Sequence, residues 1–78
     1  MHYVYIIKIK QNAKLPYYIG YSSDLRRRYY EHQQTYGDIE LLYYEAYQNE
    51  SLARKRESKL KQYGSAWRGL KQRLELTA

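Results

Sequence analysis

Tyr3-Val4-Tyr5-Ile6-Ile7-Lys8-Ile9 and Tyr17-Tyr18-Ile19-Gly20-Tyr21 decide the fold of this chain. Both stretches are dense in β-branched and aromatic residues, and each reads as a strand. In the first, Tyr3, Tyr5, Ile7 and Ile9 share one face, while Val4, Ile6 and Lys8 share the other. The polar Gln11-Asn12-Ala13-Lys14 between them reads as a turn, and Pro16 stands near the start of the second strand, where a proline is tolerated. So short a connection makes the pair an antiparallel hairpin. Gly20 ends the strand region at a point where a side chain would obstruct a neighbour or a ligand.

Outward from the hairpin, Ser22, Ser23 and Asp24 offer N-cap oxygens. Leu25, Tyr29, His32 and Tyr36 then recur at spacings of four, three and four, one face of a first helix. Gly37-Asp38 is a turn and Ile39 to Tyr47 a third strand. Asn49 caps a second helix from about Glu50 to Tyr63. Gly64 is expected to stop it and Ser65 to cap a last short helix carrying Trp67, Leu70 and Leu74. The order ββαβαα with three strands is an α+β fold, a sheet with helices packed over it.

The 78 residues make one domain, 1–78, with modest burial. There is no cysteine, hence no disulfide framework or thiolate metal site, which fits a cytoplasmic protein. No apolar run reaches membrane-spanning length, and no signal peptide is expected. The net charge is +6, and residues 50–78 carry eight Lys or Arg against three acids. That excess points to a polyanionic partner. Twelve tyrosines and no phenylalanine add hydroxyls to the apolar inventory, each of which needs water or a partner.

Three constellations could carry chemistry. Arg28 and His32, four apart, stack on adjacent turns beside the apolar stripe, and an arginine fork suits a phosphate. Glu57 shares the inward face of the second helix with Ala53 and Leu60. An acid there needs a partner: either a salt bridge with Arg28 or a lysine, or a hard cation such as Mg²⁺, held by one or two carboxylates, waters and substrate phosphate. Tyr5 and Tyr18 come from neighbouring strands, either as half-buried sheet aromatics or as bases helped by a cation or an arginine. The sequence has no Gly-rich phosphate loop, no His/Cys zinc cluster and no serine–histidine motif.

In this order and spacing the residues resemble the GIY-YIG endonuclease superfamily. Tyr3-Val4-Tyr5 stands for the first motif, with Tyr3 in place of the eponymous glycine and Val4 for isoleucine; Tyr18-Ile19-Gly20 is the second. Leu25, Arg28 and His32 match the Leu-x-x-Arg-x-x-x-His stretch. Ala53, Glu57, Leu60 and Lys61 match the setting of the family glutamate. The chain is most similar to small stand-alone bacterial members of excision-nuclease type. The resemblance implies a three-stranded antiparallel sheet flanked by helices, metal-dependent hydrolysis of DNA phosphodiesters, and a role in DNA repair. It implies Tyr5 as general base or activator of the attacking water with Tyr18 beside it, Arg28 on the scissile phosphate, His32 assisting, and Glu57 holding Mg²⁺ or Mn²⁺. The Asn-Pro segment that closes many members is replaced by Leu74-Glu75-Leu76-Thr77-Ala78, and no second DNA-binding domain is seen. The expected partner is DNA, branched or single-stranded forms included, with weak sequence preference.

Two other classes compete: a nucleic-acid-binding module without hydrolysis, using basic residues and tyrosine stacking, and a structural domain whose tyrosine pairs are packing. Glu57 on an inward face favours the nuclease. Tyr5, Tyr18, Arg28, His32 and Glu57 are expected to line one shallow basic cleft.

Overall fold

The computed structural model describes residues 1–12, 14, 16–62 and 64–76. Its elements are β1 (His2–Ile9), β2 (Tyr17–Ser22), α1 (Leu25–Tyr36), β3 (Ile39–Tyr47), α2 (Glu50–Gln62) and α3 (Gly64–Arg73). The three strands form one antiparallel sheet in the order β2-β1-β3, with the hairpin strand β1 at its centre. The hairpin is closed by Ile9 N–H donating to the Pro16 carbonyl at 2.6 Å. The central strand is the most apolar one, and Val4, Tyr5, Ile6 and Ile7 are all buried.

Burying both faces of β1 divides the core in two. On one face Tyr5, Ile7 and Ile9 meet Ile39 and Leu41 of β3 and Leu25, Tyr29 and Tyr36 of α1. On the other, Val4 and Ile6 meet Ala53 and Leu60 of α2 and Leu70 of α3, with Tyr43 and Tyr47 packed alongside. A register shift helps to serve both cores. Ile6 pairs with Tyr43 but Ile7 with Leu41, so Leu42 is an extra residue, a β-bulge. Leu41 therefore joins the α1 core while Leu42 and Tyr43 join the other.

The caps follow the sequence. Asp24 Oδ1 accepts the Arg27 N–H at 3.1 Å and Asn49 Oδ1 accepts that of Ser51 at 2.8 Å, each offsetting unpaired donors of a first helical turn. Gly37 ends α1 with φ of 78°, a conformation costly to any side chain. Gly64 is a correction. It does not stop α2 but opens α3, without the positive φ of a glycine cap, so Ser65 lies inside α3 rather than capping it. The junction falls at Tyr63, outside the described residues, as do Ala13 in the hairpin turn, Leu15, Thr77 and Ala78.

Candidate active site

Tyr5 is the centre of the site, and Gly20 explains its position. The two residues are register partners on β1 and β2. A Cβ at Gly20 would collide with Cζ and Oη of Tyr5 and lie 2.8 Å from Cε1 of Tyr18. The missing side chain is therefore filled by the Tyr5 ring, which lies over the edge strand and carries its hydroxyl across it. A glycine in a strand weakens pairing; here it makes room for a neighbour, as the sequence reading anticipated.

The hydroxyl is 2.7 Å from Nε2 of His32, a buried contact between β1 and α1. His32 is 5% exposed and enclosed by aromatic rings: Tyr18 at 4.7 Å between centroids, Tyr5 at 5.7 Å, and Tyr36 at 5.8 Å in a stacked arrangement. Tyr5 and Tyr18 themselves stack at 6.3 Å. The helical spacing that put His32 and Tyr36 on one stripe of α1 thus delivers both to the tyrosines of the hairpin.

Burial acts oppositely on the two members of the hydrogen bond, while the charge of Arg28 lowers both. Burial pushes the Tyr5 phenol up, with Tyr18 and Glu57 adding to the rise, while the neighbouring Arg28 opposes it. Burial, then the charge of Arg28, pulls the His32 imidazole down, against a smaller upward pull from Glu31. At neutral pH the phenol therefore keeps its proton and the imidazole is neutral. With Tyr5 O–H as donor, Nε2 of His32 is the acceptor and the ring proton sits on Nδ1.

Arg28 lies on the same side of α1. Its side chain is 34% exposed, it bonds Glu31 Oε1 at 2.9 Å, and it lies close enough to the Tyr5 oxygen to favour the phenolate. Glu57 reaches the site from α2. Its side chain is 18% exposed and its carboxylate is 3.1 Å from Nζ of Lys61, so the lysine pairing weighed at the sequence level is present. Lys61 is half exposed, and a surface pair of this kind holds a carboxylate only weakly. The structure brings Tyr5, Tyr18 and His32 into direct contact, with Arg28 and Glu57 within electrostatic reach of Tyr5.

A hollow of about 390 Å³ lies elsewhere, between α1 and β3, lined by Leu25, Arg26, Tyr29, Leu41 and Tyr44. Among the described residues no group of three or more His, Cys, Asp or Glu side chains could hold a metal. The donor set at the site is instead one carboxylate, Glu57, beside phenol oxygens. That fits a hard divalent cation completed by water and substrate phosphate, and does not fit zinc, which takes three or four protein ligands. The sequence reading missed two supporting contacts: Tyr36 stacked on His32, and the four-residue network around Glu45 described below. The four-residue spacing on α1 carries the signal for the first; the second is not visible without knowing that α2 packs beside β3.

The fold, the two tyrosines of the hairpin and the arginine–histidine turn of α1 define a nuclease-type catalytic domain. Residues 1–71 match the GIY-YIG catalytic domain, so the chain belongs to the GIY-YIG family. Members of that family are typically nucleases that act on nucleic acid and generally use a divalent metal. No match is found among curated proteins or solved structures. Among the described residues, no helix is long and apolar enough to cross a membrane.

Proposed function

We propose that this chain is a metal-dependent endonuclease that hydrolyses DNA phosphodiesters with little intrinsic sequence preference. The observation that carries the proposal is the buried 2.7 Å hydrogen bond from the Tyr5 phenol to Nε2 of His32, beside Arg28 and Glu57. A phenol whose pKa is raised is a poor base alone, and an imidazole whose pKa is lowered is a ready acceptor. The two act as a couple. Tyr5 takes a proton from the attacking water while its own proton passes to Nε2 of His32. The resulting hydroxide adds to phosphorus, the bond to the departing sugar oxygen breaks, and that oxygen takes a proton from solvent. Arg28 is placed to donate to the phosphate oxygens as negative charge builds. Tyr18 walls the Tyr5–His32 couple and keeps water from His32. Glu57 would hold Mg²⁺ or Mn²⁺. The cation, when bound, would lower the pKa of water and neutralise phosphate charge.

Substrate binding follows from charge. Lys55, Lys59 and Arg68 are exposed on α2 and α3, so affinity should fall steeply with salt as counterions are displaced. The test is to incubate the purified protein with branched, single-stranded and duplex DNA, with and without Mn²⁺, beside the Glu57→Gln variant. Cleavage that needs the metal and is lost in Glu57→Gln, with the fold intact, supports the proposal. Salt-sensitive binding without cleavage of any substrate would instead make the chain a nucleic-acid-binding module.

A further inference from the structure

The hollow between α1 and β3 is built from flat rings and carbon. Leu25, Leu41, Tyr29, Tyr44 and Arg26 line it. Both rings are held from behind. Tyr29 donates its hydroxyl to the Ile39 carbonyl at 3.3 Å, and Tyr44 rests edge-on against Tyr3 at 6.0 Å between centroids. Tyr44 nonetheless remains 53% exposed, a large aromatic surface turned outward. Arg26 has no ion-pair or hydrogen-bonded side-chain partner among the described residues, whereas Arg27, Arg28, Arg54 and Arg56 each have a carboxylate. Such a hollow, near the small end of ligand-site volumes, is lined by two tyrosine rings and one guanidinium without a carboxylate partner among the described residues.

Its position relative to the candidate active site selects the occupant. Tyr44 and Tyr5 are register partners on adjacent strands. On α1, Arg26 and Arg28 are about 200° apart around the axis at 100° per residue. The hollow and the Tyr5–His32 couple therefore lie on opposite flanks of the first turns of one helix, whose sequence there is Arg26-Arg27-Arg28. A polyanionic strand crossing that arginine turn reaches Arg28 on one side and the hollow on the other.

We infer that the hollow seats one unpaired nucleobase of the DNA strand whose phosphodiester lies at Tyr5, stacked on Tyr44 and held at its edge or its phosphate by Arg26. The inference rests on the nuclease reading and deepens it: a base enters the hollow only after leaving its helix, so the strand is unpaired close to the cut. Stacking on a ring face tolerates any base, in keeping with weak sequence preference.

The test measures equilibrium binding of a short single-stranded oligonucleotide at fixed salt in EDTA, so that its outcome does not depend on cleavage. Tyr44→Ala should weaken binding roughly five- to 150-fold, the loss expected for one base–aromatic stack, and Tyr44→Phe should restore it. An abasic site is then walked along the oligonucleotide. At one position it should weaken binding to wild type, and that loss should vanish in Tyr44→Ala, the coupling of a double-mutant cycle. The paired duplex should show no such coupling. Unchanged affinity in Tyr44→Ala, or abasic losses that persist in it at every position, would overturn the inference while leaving cleavage untouched. Coupling without cleavage would instead uphold the base seat and defeat the nuclease reading.

Discussion

Two regions of this small domain use the same chemical parts, an acid, an arginine and two tyrosines, to opposite ends. Behind the sheet, Glu45 of β3 accepts hydrogen bonds from Tyr47 at 2.6 Å and Tyr43 at 2.7 Å, and from Arg56 of α2 at 3.0 Å. All its lone pairs face donors of the same chain. At the candidate site, Tyr5 and His32 share one hydrogen bond, Arg28 is a third exposed, and Glu57, reaching in from α2, is paired with a half-exposed lysine. A closed network spends its hydrogen bonds on the fold, tying β3 to α2. An open one keeps donors and charge free for something that arrives. The difference in pKa has the same origin. Burial opposes ionisation of Glu45, but Arg56 and the two phenols more than offset it, so its pKa falls, while Tyr47 is pushed up to about 12 by burial and by the adjacent carboxylate.

The largest effect that would break this contrast is at Tyr5. Tyr5→Phe keeps the ring over Gly20 and removes only the hydroxyl. Cleavage should fall by roughly a hundred- to ten-thousand-fold, as for other lost acid–base groups, while far-ultraviolet circular dichroism and DNA affinity hold. Wild-type rates in a cleavage assay would remove Tyr5 from the chemistry and make the open region a packing device like the other.

Next in size is Glu45→Ala, which leaves the partly buried Arg56 without its carboxylate and two phenols without their acceptor. The expected loss is about 2 kcal/mol, below the range for fully buried pairs because Arg56 is partly exposed, or a fall in Tm of several degrees. Cleavage per folded molecule should not change. A stable variant with lost activity would show that the two regions are not independent.

Two pH experiments sharpen the comparison. The Glu45 pKa is depressed in the folded state, so its stabilisation is present above the usual carboxylate pKa and is lost as pH falls through the lower folded value. Tyr47 is raised, so its contribution is full below pH 10 and is lost as pH rises toward about 12. Urea melts should show both flanks, and the acid flank should shrink in Glu45→Gln. At the open site the readout is rate. In the proposed mechanism His32 works as a neutral acceptor, so kcat/KM should rise with pH through a pKa below the ordinary histidine value. Replacing His32 with Gln should flatten that limb; a limb left in place would assign it to another group.

The smallest expected change is at the surface pair. Lys61→Ala removes a partner of Glu57 that is half exposed, so stability should move by no more than about 0.5 kcal/mol. Freed of that competitor, Glu57 should bind Mn²⁺ somewhat more tightly in a calorimetric titration. Weaker binding would show that Lys61 orients the carboxylate rather than competing for it.

The strands, the helix faces and the order of elements were legible in the sequence because they are written in local periods. Alternation in Tyr3 to Ile9 placed Tyr5 on the face opposite Val4 and Ile6, and the Leu25–Tyr36 spacing placed His32 on the inward stripe of α1. Even the need for Gly20 was legible, as a place where a side chain would obstruct. Tertiary structure decided what each face meets. The Tyr5 ring over Gly20, Tyr18 against His32, and Arg56 drawn to Glu45 each join residues from separate elements. No period in the chain encodes how those elements are set against one another. The end of α2 at Gly64 was misread for the same reason: a glycine after a basic turn resembles a stop, yet α3 starts there, and it is Leu70 packing into the Val4–Ile6 core that fixes where α3 lies. Local propensity sets which residues can face inward; the burial of both faces of β1 sets which of them meet.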